Sequence, residues 1–421
     1  MEQFRYKENG LRCEDVNVEE IARDVGTPVY VYSKRSIVDH CRWIEQAFGE
    51  IDHLSCYAVK ANANHEVLRT LAGEGVGADA GSIGELHLAL AAGFPPEKIT
   101  FSGVGKRDDE IEYALRRNIL SFNVESEEEI RVLDEIAQRL GTTARLLLRV
   151  NFDIDTRTHP YITTGRKHNK FGVDASKASS VLRWARSLPG LEVVGIHSHI
   201  GSQIIDEETF IASAQAVARS VTDFRNDGIT ITQVNFGGGF GVQYRDYIRH
   251  PLLPSEGENP ETDVTTVRLL KAILPTLEQL GCTILIQPGR SIIAHAGILL
   301  TKVVYRKQGD GKIFVIVDAG MNDLIRPSLY QSYHQIVPTS LKNGEQEIAD
   351  IVGPLCETGD FFALERKIPR VERGETLAVL CAGAYGYVLA SNYNGRPRPP
   401  EVMVDGGRFT VVTPRESLDD L

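Results

Sequence analysis

Lys60 is the residue that most calls for a chemical explanation. It directly follows residues 54–59, a mostly apolar run that predicts a short buried strand. A charged amine at the end of such a strand is costly unless it is paired, deprotonated or used in a reaction. The ordinary alternative is a lysine whose stem packs while its ammonium reaches solvent. For a single lysine this alternative is the commoner one, so other parts of the sequence are needed to decide whether Lys60 has a chemical role.

Glycine-rich segments further along the chain have the composition of a phosphate site. Residues 237–239 are three consecutive glycines, which let backbone N–H groups approach an anion closely. A tight turn is the commoner use of such a triplet. Gly289 and Arg290, however, follow the next predicted strand, and barrels often bind phosphate with two neighbouring loops of this kind.

Two histidines suggest a surface on which a flat ring could stack. His197 and His199 point to one face of their strand by the period of two, and Ser202 follows as a small donor. A strand histidine is usually structural, and a metal pair lacks an evident third ligand, so we predict no metal. A lysine nucleophile, a phosphate cradle and a stacking imidazole together indicate pyridoxal phosphate.

The elements that must position these residues alternate along the chain. Predicted strands lie at 54–59, 77–80, 99–102, 121–124, 144–150, 193–197, 231–236 and 283–287, and helical patterns at 84–92, 108–116, 126–140, 207–226 and 265–280. This alternation predicts an α/β fold, a (β/α)8 TIM-type barrel. An open doubly wound sheet is the alternative, but no G-x-G-x-x-G opens a helix after the first strand.

Polar residues occupy the ends of most of these strands, where the chemistry of a barrel gathers. They are Lys60, Asp79, Ser102, Asn123, Arg149, His197, His199, the glycines at 237–239, Gln287 and Arg290.

After Arg290 short β-type runs replace the alternation and predict a mainly β C-terminal domain. We place the barrel at residues 32–280 and assign 1–31 together with 281–421 to the second domain. The N-terminal strand is expected to join the C-terminal sheet.

Composition argues against several classes of function. The chain has 46 basic and 57 acidic residues, a formal net charge of −11, which disfavours nucleic-acid and anionic membrane partners. No apolar run approaches the length of a membrane-spanning helix, and residues 1–16 lack the apolar core of a signal peptide. The six cysteines show neither metal spacing nor a disulfide framework, so we expect a cytoplasmic protein.

Short motifs in a fixed order give a more specific indication. They are YAVKAN at 57–62, THPY at 158–161, KFG at 170–172, HIGSQ at 199–203, GGG at 237–239, PGR at 288–290, MNDLIRP at 321–327, CETGD at 356–360 and AGAYG at 382–386. In this respect the chain resembles the diaminopimelate decarboxylases, which belong to the barrel-type, alanine racemase-like pyridoxal phosphate enzymes. The resemblance extends nearly end to end.

The resemblance implies roles for individual residues. Lys60 would hold the cofactor covalently, His199 would stack on its ring, and Cys356 would donate a proton in catalysis. The other implied cofactor contacts are Ser202, Gly238, Gly239, Gln287, Gly289, Arg290 and Tyr385, and Asp79 is added because it lies at a strand end. The implied substrate contacts are Arg290, Arg326, Tyr330, Glu357 and Tyr385. The resemblance also implies a homodimer in which the Cys356 segment reaches the partner's barrel.

Gln287 departs from the family pattern, which usually has glutamate before Pro-Gly-Arg, paired with the pyridine nitrogen. A neutral amide can hydrogen-bond that nitrogen but cannot compensate its charge. Either the nitrogen is less protonated and turnover is slower, or another acid supplies the charge, with Asp79 as the candidate. In the first case Gln287→Glu is expected to accelerate decarboxylation.

The expected activity is decarboxylation of meso-2,6-diaminopimelate to L-lysine and CO2, the last step of lysine biosynthesis. A distal carboxylate and a distal ammonium on the substrate match Arg326 and Glu357. The alternatives are a decarboxylase of the ornithine or arginine type, an amino-acid racemase of the same fold, a non-catalytic carrier of the cofactor, and a cofactor-free barrel that binds a phosphorylated ligand.

Overall fold

The computed structural model describes residues 3–154, 170–245, 247–248, 265–341 and 345–421. The motif at 158–161 lies outside these residues. The chain forms two compact units: one is built from residues 41–242 and 264–291, the other from residues 1–40, 243–263 and 292–421.

The strands of both units are, in chain order, β1 (Phe4–Lys7), β2 (Gly10–Cys13), β3 (Val16–Asn17), β4 (Val29–Ser33), β5 (His53–Ala58), β6 (Gly77–Ala80), β7 (Ile99–Phe101), β8 (Ser121–Val124), β9 (Ala144–Asn151), β10 (Val173–Asp174), β11 (Leu191–His197), β12 (Gln233–Asn235), β13 (Thr283–Ile286), β14 (Gly297–Gly309), β15 (Lys312–Val317), β16 (Ile336–Pro338), β17 (Gln346–Val352), β18 (Phe361–Pro369), β19 (Thr376–Val379), β20 (Glu401–Asp405) and β21 (Arg408–Thr413).

The helices are α1 (Val18–Val25), α2 (Lys34–Phe48), α3 (His65–Gly73), α4 (Ile83–Ala91), α5 (Asp108–Leu115), α6 (Glu127–Leu140), α7 (Ala175–Ala185), α8 (Glu207–Asn226), α9 (Thr265–Glu278), α10 (Arg290–Ile293) and α11 (Arg326–Tyr330). Among the described residues none of these helices combines the length and the apolar character needed to cross a membrane.

The first unit is a closed parallel barrel. Within its described residues, β5, β6, β7, β8, β9, β11, β12 and β13 pair in this order, and β13 pairs with β5 to close the ring. Every one of these pairings is parallel. Because all strands run the same way, all their C-terminal ends lie on one rim. The predicted barrel is confirmed, and the open doubly wound sheet is excluded.

Local sequence signals explain where the outer helices begin and end. In α6, Ser126 caps the first turn by accepting a hydrogen bond from the Glu129 backbone N–H, and three acidic residues fill that turn. The helix ends at Gly141 in the left-handed conformation. Asp206 caps α8 in the same way through the Thr209 N–H. Such caps fix the position of each helix relative to the strand that precedes it.

The second unit is mainly β. Its large sheet has the order β18-β17-β15-β14-β4-β20-β21, and off this path β19 pairs with β14 and β16 pairs with β19. The expectation that the N-terminal strand joins this sheet is confirmed, since β4 lies between β14 and β20. The predicted β-type runs of this domain lay at 298–304, 313–317, 376–381, 401–404 and 409–412, so three strands of the sheet, β16, β17 and β18, were not predicted. In β18 the run Leu364–Glu365 is exposed and Glu365 has a positive φ of 49°, which breaks the alternation.

The predicted boundary at 280/281 differs from the structure. It would remove β13 from the barrel, whereas β13 is the strand that closes the ring between β12 and β5. The predicted start at residue 32 likewise falls inside β4, which pairs with strands of the second unit.

Candidate active site

Lys60 lies on the rim of the barrel in a single 3-10 turn, Val59–Ala61, directly after β5. The residues on either side of it, Val59 and Ala61, are fully buried, whereas the Lys60 side chain is exposed. Its ammonium makes no hydrogen bond or ion pair within the described part of the chain. The turn therefore places an exposed amine at the rim and anchors it through two buried neighbours.

Asp79, near the C-terminal end of β6, is only 2% exposed. Its Oδ1 accepts hydrogen bonds from Thr100 Oγ1 at 3.0 Å and from Ser102 Oγ at 2.5 Å. Burial raises the pKa of Asp79, while the positive charge of Lys60 and the two hydroxyl donors oppose that rise. The structure thus brings Asp79 and Lys60, two predicted site residues, into electrostatic contact.

Gln287 follows β13 and is 7% exposed. Its Nε2 donates to Asp79 Oδ1 at 2.7 Å, and His197 Nε2 lies 3.2 Å from its Oε1. His197 is neutral, because burial first and the charge of Arg149 second lower its pKa well below the usual value. A continuous polar chain therefore crosses the barrel from β11 to β6 through Gln287.

His199 lies next to the glycine loop after β12. The backbone N–H of Gly238 donates to His199 Nδ1 at 3.1 Å, which leaves the hydrogen of the neutral ring on Nε2. Burial and the positive charges of Arg149 and Lys60 keep the pKa of His199 well below its usual value. An uncharged imidazole held through its edge has a face that can stack on a flat ring.

The glycine loop has no room for side chains. A Cβ on Gly238 would lie 2.2 Å from the carbonyl oxygen of Gln287. A Cβ on Gly239, whose φ is +96°, would lie 2.6 Å from the carbonyl oxygen of Gly201. On the neighbouring loop a Cβ on Gly289 would meet Ala61 Cβ at 3.0 Å, beside the Lys60 turn. Only glycine permits these approaches of backbone to backbone.

Arg290 reaches across the same rim. Its Nη2 donates to Ser202 Oγ at 3.0 Å, and the side chain is buried. The structure therefore brings Lys60, Asp79, His199, Ser202, Gly238, Gly239, Gln287, Gly289 and Arg290 together on one rim.

In the second unit Arg326 begins α11 and is buried. Its Nη2 donates to Tyr244 Oη at 3.2 Å, and its Nε lies 3.4 Å from His334 Nε2. His334 Nδ1 lies 2.8 Å from the Leu380 carbonyl oxygen, so Nδ1 carries the hydrogen and Nε2 accepts from Arg326. Tyr330 ends the same helix and is half-buried.

Cys356 and Glu357 lie in an exposed loop of the second unit, and the Cys356 backbone N–H donates to Asn394 Oδ1 at 3.4 Å. Asp360 anchors this loop, because its carboxylate accepts from the Leu355 N–H at 2.7 Å and the Met321 N–H at 2.6 Å. The contact with Met321 ties the Cys356 loop to the segment that leads into Arg326.

Tyr385, half-buried in the same unit, has a positive φ of 54°. This conformation is uncommon for a bulky residue and is found preferentially at functional sites.

Three residues of the rim were not assigned to the site from sequence, although each lies at a predicted strand end. Ser102 donates to Asp79, His197 donates to Gln287, and Arg149 forms a buried ion pair with Glu125 at 2.7 Å. Strand-end position was the available signal. It could not show which of these side chains touch one another.

Comparison with known protein families defines the class of this barrel. Residues 34–294 match the model described as pyridoxal-dependent decarboxylase, pyridoxal binding domain. The matched segment contains the barrel strands and every rim residue described above.

Full-length relatives narrow the class further. The chain is 46% identical to a diaminopimelate decarboxylase of Aquifex aeolicus over 99% of this chain and 96% of that protein. It is 45% identical to one of Vibrio cholerae, over 100% and 98%. A solved diaminopimelate decarboxylase of Helicobacter pylori, in complex with L-lysine, superposes with a TM-score of 0.88 at 42% identity, covering 96% of this chain and 98% of that one. The chain belongs to the diaminopimelate decarboxylase family of pyridoxal-dependent decarboxylases.

The rim fits the cofactor of this class. His197 Nδ1 is a buried acceptor that has no hydrogen-bond partner among the described residues, so a bound group or water must satisfy it. At Gly238 and Gly239 an added Cβ would collide with a backbone carbonyl oxygen, so both positions of this loop require glycine.

Proposed function

We propose that this chain catalyses the pyridoxal phosphate-dependent decarboxylation of meso-2,6-diaminopimelate to L-lysine and CO2. The observation that carries the proposal is the convergence of Lys60, the neutral His199 ring and the glycine loop on one barrel rim. Family membership gives the substrate, and the reaction is the last step of lysine biosynthesis.

Lys60 would hold the cofactor covalently through Nζ, and His199 would stack on its ring. Gln287, which is hydrogen-bonded to Asp79, would contact the pyridine nitrogen. The phosphate contacts are Ser202, Gly238, Gly239, Gly289, Arg290 and Tyr385. When bound, pyridoxal phosphate supplies the electron sink that makes loss of CO2 from the α-carbon possible. The exposed position of Lys60 supports its role, because the amine must be reachable by both cofactor and substrate.

Substrate selection is assigned to the second unit together with Arg290. The Arg326 guanidinium forms a bidentate pair with a substrate carboxylate, since its planar donors match that geometry. Glu357 pairs with the distal ammonium, and Tyr330 and Tyr385 contact the substrate. The hydrogen bond from Arg326 to His334 supports this role because it orients the guanidinium.

Cys356 Sγ delivers a proton to the α-carbon after CO2 leaves. Its exposure supports the assignment, since an exposed thiol is available to a substrate bound elsewhere. The anchoring of its loop by Asp360 supports a fixed position for that thiol.

The parallel barrel and the mainly β domain form the active site only as a homodimer, in which each Cys356 segment completes the partner's barrel. The chain acts in the cytoplasm, with no nucleic-acid or membrane partner. The six cysteines, all within the described residues, are free thiols, as a reducing compartment allows.

Incubation with meso-diaminopimelate and pyridoxal phosphate tests the activity, with amino-acid analysis for lysine and a measurement of CO2. Lysine with stoichiometric CO2 is expected. Loss of optical activity without CO2 would indicate a racemase. Turnover of ornithine or arginine instead would indicate a different decarboxylase. Borohydride reduction and peptide mapping should find the pyridoxyl group on the Lys60 peptide, and a label elsewhere would reject that residue.

A second experiment tests the shared site. Inactive Lys60→Ala chains are mixed with inactive Cys356→Ala chains. Part of the activity should return, because hybrid dimers contain one site with both wild-type residues. No recovery after confirmed subunit exchange would mean that each site is built from one chain.

A further inference from the structure

Asp79 is held as an acceptor by the groups around it. Its Oδ1 accepts hydrogen bonds from Thr100 Oγ1 at 3.0 Å, from Ser102 Oγ at 2.5 Å and from Gln287 Nε2 at 2.7 Å. Ser102 Oγ itself accepts from Asn123 Nδ2 at 2.9 Å, so the Ser102 hydroxyl hydrogen is directed to Asp79. One oxygen that receives three donors is the oxygen of an ionised carboxylate.

This carboxylate fixes the orientation of the Gln287 amide. If the amide were turned over, Oε1 would lie 2.7 Å from Asp79 Oδ1, and two acceptors would face each other. The nitrogen end therefore faces Asp79, and Nε2 also donates to Ser102 Oγ at 3.3 Å, so both of its hydrogens have acceptors. The hydrogen-bond network assigns the orientation here, as it must for any side-chain amide.

His197 on the other side of the amide is compatible with the same orientation. Its neutral ring lies with Nε2 at 3.2 Å from Gln287 Oε1, so this nitrogen carries the hydrogen and donates it. His197 thus donates a hydrogen bond to Gln287, and Gln287 donates one to Asp79. The remaining capacity of Gln287 on its oxygen end is that of an acceptor, because a carbonyl oxygen has two lone pairs and His197 takes one.

On the basis of the function proposed above, we propose that Asp79 is a positioning residue that acts through Gln287. It holds the amide so that residue 287 offers only an acceptor to the pyridine nitrogen of the cofactor, and so selects the protonated ring.

An unprotonated pyridine nitrogen is itself only an acceptor and finds no donor in this arrangement. A protonated ring donates to Gln287 Oε1, and its positive charge is compensated by Asp79 on the far side of the amide. Asp79 and Gln287 together thereby supply the negative charge and the acceptor that a glutamate at position 287 would supply alone.

The test is the 15N NMR signal of the ring nitrogen in protein loaded with ring-15N pyridoxal phosphate. Four proteins are compared: wild type, Asp79→Asn, Asp79→Asn/Gln287→Glu, and Asp134→Asn. Asp134 is a matched control, because it is also a buried carboxylate with two donors, Gly190 N and Gln138 Nε2, but it lies on α6. Borohydride labelling of Lys60 and lysine formation are measured on the same samples.

Wild type and Asp134→Asn should give a pyridinium signal. Asp79→Asn should move it into the range of unprotonated pyridine, because the amide is no longer fixed and the charge is gone. The double variant should restore the pyridinium signal. An unprotonated ring in wild type, or a pyridinium signal in Asp79→Asn, would overturn the proposal.

If Asp79→Asn does not bind pyridoxal phosphate, the double variant is compared with wild type instead. A protonated ring in both proteins supports the proposal, and an unprotonated ring in either one overturns it. Lysine formation and Lys60 labelling that persist while the signals contradict the proposal would leave the proposed function standing.

Discussion

Gln287→Glu gives the most direct kinetic test of the Asp79–Gln287 contact. The new carboxylate oxygen would lie where Nε2 lies now, 2.7 Å from Asp79 Oδ1. Two unit charges at that separation repel by about 6 kcal/mol at an effective dielectric constant of about 20, or more than about 4 pKa units. The two buried carboxylates therefore cannot both ionise near neutral pH, and the pair keeps one proton.

The net charge of the pair is then the same as that of Asp79 with Gln287. We expect the decarboxylation step of Gln287→Glu to lie within about threefold of wild type, less than about 0.7 kcal/mol. Without a nearby acid the expectation is different, since a new carboxylate can raise the ring pKa by about 1–3 units and the rate by about 10–1000-fold. The neighbouring Asp79 thus removes the acceleration that the sequence alone suggested.

The assay is single-turnover decarboxylation at saturating cofactor, with substrate binding titrated separately, so that the chemical step is isolated. The control is the same substitution in an Asp79→Asn background. There the new glutamate has no competing carboxylate, and it should restore most of the rate that Asp79→Asn loses. An acceleration of about tenfold or more in Gln287→Glu, or additive effects of the two substitutions, would refute the reasoning.

Three other substitutions test separate parts of the molecule. Gly238→Ala should weaken cofactor binding by at least about tenfold in a titration of the apoprotein, because its Cβ would lie 2.2 Å from a backbone carbonyl oxygen. His334→Leu should raise KM for diaminopimelate by about tenfold with a smaller change in kcat, because Arg326 loses the acceptor that orients its guanidinium. Asp323→Asn should flatten the pH dependence of unfolding between about pH 4 and pH 7, because burial raises the pKa of Asp323 to about 7 in the folded protein.

The sign of the last effect follows from proton binding. Above about pH 4 the unfolded carboxyl has lost its proton, whereas the folded one keeps it until about pH 7, so wild-type stability falls as pH rises through this window. The loss reaches at most about 4 kcal/mol for a shift of this size. Denaturant midpoints of the cofactor-loaded protein across that window measure it. Equal slopes for Asp323→Asn and wild type would contradict the assignment.

Gly238→Ala and His334→Leu each have their own control or contradicting outcome. Gly105→Ala adds a Cβ with no atom within 4 Å and should leave cofactor binding unchanged. A comparable loss in Gly105→Ala would show that Gly238→Ala acts through general destabilisation. An unchanged KM in His334→Leu would show that Arg326 is positioned without His334.

The sequence alone determined the barrel. Alternation of short apolar runs with capped helices is a local signal, and all eight barrel strands lie where that pattern placed them. The ordered motifs determined the family, and the strand-end positions identified the residues that share a rim. Parallel strands in a closed barrel leave no freedom about which ends meet, so position along the chain was sufficient for this step.

Only the tertiary structure decided which of those rim residues touch. Asp79 and Gln287 are 208 positions apart, and their hydrogen bond depends on the ring closing between β13 and β5. The same holds for the division of the chain into two units. The sequences of β4 and β13 are compatible with either unit, and only their strand pairing assigns them. Strand pairing and side-chain contact are long-range properties, and burial, which raises the pKa of Asp79 and lowers that of His197, follows from them.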